Sequence, residues 1–245
     1  MLTKFSIALV VLSLWLPSAL LADGLIYKLP EDGTWARFDY SPKSTSNDPV
    51  RPSSYRSLTI RSVGTAEFDG EACRWIETAS EIQRNGQPIS IIEKLLIPEQ
   101  HLGKGKSPLA HVRKGWLKIS SEFGGNPQPI KDLSAERLRR YNLFRIDLYG
   151  AFKTPKTLDK VIVESKLGKL ECEGVTSQEK WSINPSIIYD FTYVIRLHET
   201  APFGVVSHET TRATERDGIP GGAMIGTLKL VDFGKDAKSA IPESK

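Results

Sequence analysis

The chain is poor in the residues from which catalytic and metal centres are usually assembled. It has four histidines and two cysteines in 245 residues. Neither cysteine lies beside a histidine-centred motif, which argues against thiol catalysis. No Gly-x-Ser-x-Gly nucleophile elbow occurs. The segment Gly218-Ile-Pro-Gly-Gly-Ala-Met-Ile-Gly226 lacks the Gly-Lys-Ser/Thr ending of a phosphate loop and runs into a strand-like stretch, so it reads as a hairpin connection. Carboxylates are numerous, but no pair can be placed in one cleft. No catalytic residue, metal or cofactor is therefore expected. Asn-x-Ser/Thr is missing, because Asn184 is followed by Pro185, which suits a bacterial envelope protein better than a eukaryotic secreted one. Charge of one sign is also lacking. With 33 Lys and Arg against 29 Asp and Glu, the formal charge is +4, a mild excess that implies no nucleic-acid partner.

What is present begins at the N-terminus. Lys4 precedes an apolar run, Phe5 to Leu16, which Pro17 breaks, and Ser18 to Ala22 leads to Asp23-Gly24. This is the order of a cleavable secretory signal, expected over residues 1–22. Leu20 stands where the cleavage motif favours a small residue, and the alternative is an uncleaved anchor. No cysteine follows the run that could carry a lipid, and no later stretch is apolar and long enough to span a membrane. The expected localisation is periplasmic or extracellular. Residues 23–233 are expected to form one β-rich domain, with a flexible polar tail over 234–245.

In an oxidising compartment Cys73 and Cys172 read as one disulfide, flanked by Trp75 and Leu170; two buried free thiols are the alternative. A bridge closing a loop of that length would add roughly 4 kcal/mol in the chain-entropy model.

Alternation dominates the pattern. Strands are expected at 34–40, 57–63, 71–83, 89–97, 111–120, 157–166, 169–175, 187–198, 205–214 and 224–233, with Asn85-Gly86 the strongest hairpin signal. One helix is expected at 134–145. Ser134 is its N-cap, Leu133 and Leu138 form a staple around it, and Leu138, Tyr141 and Phe144 share a face. The fold class is thus mainly β (α+β): a strongly curved antiparallel sheet of about ten strands, a half-barrel, with this helix on its concave face.

Two local constellations could carry chemistry. If the late hairpin turns on Phe203, His198 opposes His208 and the pair could hold a metal, although Glu199 and Glu209 point to the other face. A one-residue change in the turn would destroy that pairing. Lys104, Lys106, His111, Arg113, Lys114 and Lys118 could meet anionic head groups, but alternation spreads them over both faces, as on an ordinary solvated surface.

The signal segment, the hairpin-rich order, the apolar strand ISIIEKLLIP and the late hairpin RLHETAPFGVVSHE, with its Pro-Phe-Gly-Val-Val turn, together resemble the LolA-like, lipoprotein-carrier-like envelope proteins. The long Ser/Pro loop at 41–54, the two cysteines and the greater length depart from the simplest such carriers. The resemblance implies a non-enzymatic protein whose apolar concavity binds a lipid or acyl chain, or a lipid-bearing envelope component. Inner-face Leu and Ile of strands 89–97 and 187–198, with Leu138, Tyr141 and Phe144, would line it. The same residues could instead fill a core. A structural or protein-interaction module of the envelope, and an exported enzyme with a scattered site, are the competing readings.

Overall fold

The structure is a computed structural model that describes residues 24–44, 55–84, 86–120, 125–134, 138, 154–184 and 186–242. The expected signal segment, residues 1–22, lies outside them. Eleven strands form one antiparallel sheet: β1 (Trp35–Ser44), β2 (Tyr55–Phe68), β3 (Glu71–Arg84), β4 (Gln87–Pro98), β5 (Lys114–Ser120), β6 (Gln128–Pro129), β7 (Lys156–Ser165), β8 (Gly168–Asn184), β9 (Ile187–Leu197), β10 (Val205–Arg216) and β11 (Ile219–Gly234). Their spatial order is β6-β5-β4-β3-β2-β1-β11-β10-β9-β8-β7. Two meanders, β1–β6 and β7–β11, are therefore joined at a central seam between the first strand and the last.

Turn chemistry sets the tight hairpins. Asp69-Gly70 and Asp217-Gly218 each place two consecutive residues at positive φ (50° and 79°, 51° and 77°). Phe68 then pairs with Glu71, and Arg216 with Ile219. That is the backbone a two-residue type I′ connection requires. At Asn85-Gly86, Arg84 pairs with Gln87 across the turn, as the sequence predicts.

Alternation then sorts side chains between two faces. On one face Phe38, Leu58, Ile60, Ile76, Leu95, Tyr193, Ile195, Leu228 and Leu230 are buried in a single cluster. Strands β3 and β9 stand five places apart in the sheet. A flat sheet would separate them by roughly 24 Å at the usual strand spacing. The sheet instead curls: Lys166, at the end of β7, pairs with Asp232 of β11 four places away, and Ile76 and Ile195 lie in one cluster, so this face is concave. Leu25, Ile26, Leu102, Leu109 and Phe203 close one end of it, where the Tyr27 and Lys28 amides both donate to the Phe203 carbonyl.

The fold class expected from the sequence is corrected in one respect. Among the described residues the fold is nearly all β, with no helix of seven or more residues. Among the described residues the main helix expected over 134–145, and with it the α+β class, is therefore not seen. Of that span only Ser134 and Leu138 are described. The Leu138 amide donates to the Ser134 carbonyl at 2.9 Å, and its side chain is buried in the main core. The strong capping signal at Ser134 is local, whereas the packed layers of this fold come from the sheet curling on itself. The remainder of 134–145, including Tyr141 and Phe144, lies outside the described residues.

The opposite face carries a second layer. The C-terminal segment, expected as a polar tail, lies across β3, β4 and β5. Asp236 accepts from the Trp35 indole at 2.8 Å, and the Ala237 amide donates to the Gly33 carbonyl. Ile241 is buried with Ala79 and Ile92. Glu77, wholly buried, accepts from Arg61, from the Ser239 hydroxyl and from the Ala240 and Ile241 amides. Lys94 donates to the Ile241 carbonyl at 3.0 Å and lies over the Trp75 ring.

Candidate functional site

The site begins with the alternation of β9, IIYDFTYVIRL, which puts Tyr189, Phe191 and Tyr193 on the concave face. Consecutive rings lie 6.1 and 6.0 Å apart, the Phe191 and Tyr193 planes nearly parallel. Aromatic pairs at such separations attract beyond their burial alone. Burial is graded along the ladder. Tyr189 and Phe191 are half-buried, while Tyr193 is buried and meets the His208 ring at 6.0 Å, where the apolar core begins.

Neighbouring strands supply polar groups. Register places Thr210 opposite Tyr193, Arg212 opposite Phe191 and Thr214 opposite Tyr189. The Arg212 guanidinium carbon sits 5.4 Å from the centre of the Tyr189 ring, a cation–π contact. Its Nε is buried without a hydrogen-bond acceptor, and no carboxylate ion-pairs with it among the described residues. A cleft of about 580 Å³ opens beside it, lined by Arg212, Thr214, Arg216, Asp217, Gly221 and Met224. On the same concave face of β3, the Thr78 and Ser80 hydroxyls are buried without a partner among the described residues. The arrangement is an aromatic strip leading from the core to an open, cationic mouth. It offers apolar stacking and one poorly neutralised cation.

The residues singled out in the sequence are distributed otherwise. His198 and His208 do not face each other. A bulge between Val205 and Ser207 shifts the register, so His208 opposes Ile195, while His198 lies in the hairpin loop with its Nδ1 2.8 Å from the Thr200 hydroxyl. His208 is fully buried, and that burial pushes its pKa down to about 3. Among the described residues no three His, Cys, Asp or Glu side chains converge as a metal site would require.

Cys73 and Cys172 are both free and buried, so the expected disulfide is not present. They stand on β3 and β8, six strand positions apart, in separate apolar clusters: Cys73 with Trp75 and Leu96, Cys172 in the main core. Burial raises both thiol pKa values, with the Glu71 carboxylate adding to the effect at Cys73.

The basic stretch is dispersed. Arg113 pairs with Glu71 at 2.6 Å, Lys114 lies over Phe68, Lys104 over Tyr27, and Lys118 donates to the Ala240 carbonyl. His111 stacks on His101, whose pKa is lowered by burial and then by the facing imidazole. The sequence reading overlooked Arg212. The available signal was its place, two and four residues after Thr210 and His208, on the buried face of β10.

No protein-family model matches the chain, and no curated protein matches it. Among solved structures it is similar to a candidate exported protein with a YmcC-like fold from Bacteroides fragilis. Identity is 9%, the alignment covers 86% of this chain and 99% of that one, and the TM-score is 0.33. At that level neither topology nor activity is carried across. No helix among the described residues is long and apolar enough to cross a membrane.

Proposed function

We propose that this is an exported, non-enzymatic envelope protein that binds an amphiphile through its concave face, the apolar chain along Tyr189, Phe191 and Tyr193 and an acidic head group at Arg212. The observation that carries this reading is the ladder itself, running from half-buried Tyr189 to buried Tyr193, with an arginine stacked on its outer ring that has no carboxylate partner among the described residues. Apolar surface removed from water would supply the affinity, at roughly 25 cal/mol per Å² before the costs of association. Export rests on the order of charge, apolar run and break within residues 1–22. A structural or interaction module of the envelope is the competing reading, favoured by the filled apolar core at the closed end of the sheet.

The test is to express the full chain into a periplasm, purify it without detergent and record native mass spectra. A long-chain fatty acid and the alcohol of equal length are then titrated. The reading expects co-purified lipid and binding of both ligands, weakened about tenfold by Phe191→Ser, with the Arg212→Met variant weakened for the acid alone. Protein that emerges lipid-free and binds neither ligand overturns it.

A further inference from the structure

The sheet ends in two unlike edges. One is β6, two residues long. The other is β7, ten residues, whose backbone ladder runs to β8 alone among the described residues, while its Asp159 carbonyl accepts from the Arg196 side chain of β9 at 2.9 Å. A strand at an edge leaves every second amide and carbonyl without a ladder partner. Proteins commonly blunt such an edge by placing charge at its centre. In β7 the centre is Val161-Ile162-Val163, with the charges on either side at Lys160 and Glu164. Ile162 is 72% exposed and Val161 38% exposed.

We propose that the β7 edge pairs with the β7 edge of a second copy of this chain, in antiparallel register about Ile162, joining two sheets into one. Backbone donors and acceptors alternate in direction along a strand, so symmetric antiparallel pairing must centre on a residue and not between two. Three centres fall within the apolar stretch. Centring on Val161 sets Lys160 against Ile162, Asp159 against Val163 and Leu158 against Glu164, opposing each charge with an apolar side chain. Centring on Val163 sets Lys160 against Lys166. Only Ile162 as centre matches Lys160 with Glu164, twice by symmetry, and stacks Val161 on Val163 with Ile162 on itself.

Lys160, Ile162 and Glu164 share one face of the strand, and a two-fold axis perpendicular to the sheet keeps them on that face. Their present partners leave them available. Lys160 to Glu171 at 3.5 Å and Lys169 to Glu164 at 3.4 Å are both highly exposed pairs. The register of β7 against β8 is irregular between Leu158 and Val161, so Lys160 lies at the limit of the straight stretch, set on the Ile162 side by its contact with Glu171, which opposes Ile162, and pairing extends over about five residues a side. An interface that small belongs to the weak, concentration-dependent class. The pairing does not depend on the ligand reading.

The test uses the whole mature chain. Sedimentation is measured from low to high micromolar concentration for the native protein, for Lys160→Glu, and for Lys160→Glu combined with Glu164→Lys. The native chain shifts toward dimer as concentration rises. The single swap shifts it at least tenfold less, because it opposes glutamates at both positions. The double swap restores complementarity and recovers the dimer. Independently, Ile162→Cys forms a covalent dimer under mild oxidation, whereas Glu164→Cys does not, since its two copies lie far from the axis. A native chain that stays monomeric throughout, a double swap that fails to recover, or equal crosslinking at the two positions overturns the proposal. Circular dichroism of each variant establishes that it is folded.

Discussion

The Ser239 hydroxyl donates to the Glu77 carboxylate at 2.8 Å, tying the end of the chain to the middle of β3 across 162 positions of sequence. The Ala240 and Ile241 amides converge on the same carboxylate, and Arg61 pairs with it from β2. Glu77 is wholly buried, so these donors replace the water that a carboxylate otherwise needs. Truncation after Lys238 removes three of them together with the buried Ile241 side chain. We expect a loss of about 3 kcal/mol in urea unfolding. Glu77→Gln turns an amide group toward donors and should cost about 2 kcal/mol in the full chain, but far less in the truncated one. Strictly additive costs would show that the two elements are not coupled.

The cysteines give a second prediction. Burial holds both thiol pKa values above the ordinary value, and Glu71 raises that of Cys73 further. The thiolate is the reactive form, so native protein should react with an aromatic disulfide reagent far more slowly than urea-unfolded protein. Both thiols should then titrate without prior reduction. An intact mass matching an internal bridge in periplasmic protein would contradict this.

Protonation of His208 supplies a third. Its folded pKa is about 3 against an ordinary 6.5, and burial is the cause. Between those values the unfolded chain binds a proton that the folded chain does not. The stability linked to this group is therefore present above pH 6.5 and is lost as pH falls toward 3, on the order of 2 kcal/mol by pH 5. His208→Gln should flatten the dependence of unfolding free energy between pH 5 and 7.5 relative to the native chain. Equal slopes would sink this assignment.

Gly226 supplies the fourth. It lies in β11 opposite Pro42, where the Tyr40 ring crosses its backbone. A Cβ there would stand 2.5 Å from the Tyr40 oxygen and 2.7 Å from a ring carbon. Gly226→Val should therefore destabilise the central seam by about 2 kcal/mol. Tyr40→Ala should relieve part of that cost in the double variant, which thermal unfolding would read directly. No relief would mean that the ring is not what limits the position.

How much was legible in the sequence follows the range of the signal. Asn85-Gly86 declares its hairpin because a type I′ connection is a property of two residues. Asp217-Gly218 carried the same signal, but Ile-Pro-Gly-Gly after it read as loop, so the first part of β11 was missed. The His198–His208 pairing failed on a bulge at Val206, which costs one residue of register and leaves no mark in composition. The disulfide was inferred from compartment, which cannot say that two strands will stand six places apart. Glu77 sat visibly between Trp75 and Ala79 on an apolar face. Its partners follow 162 to 164 positions later, in a segment that read as tail. Alternation alone puts Tyr189, Phe191 and Tyr193 on one face, whereas the arginine stacked on Tyr189 comes from the next strand.

The central seam between β1 and β11 also governs when this molecule can finish folding. Hairpins from β1 to β5 and from β7 to β11 need only neighbours in sequence, so they can zip as the chain emerges. The seam joins the first strand to the last, and its loop-closure entropy must be met before its contacts return anything. Completion therefore waits for release of the final strand and of the C-terminal segment that lies across β3, β4 and β5.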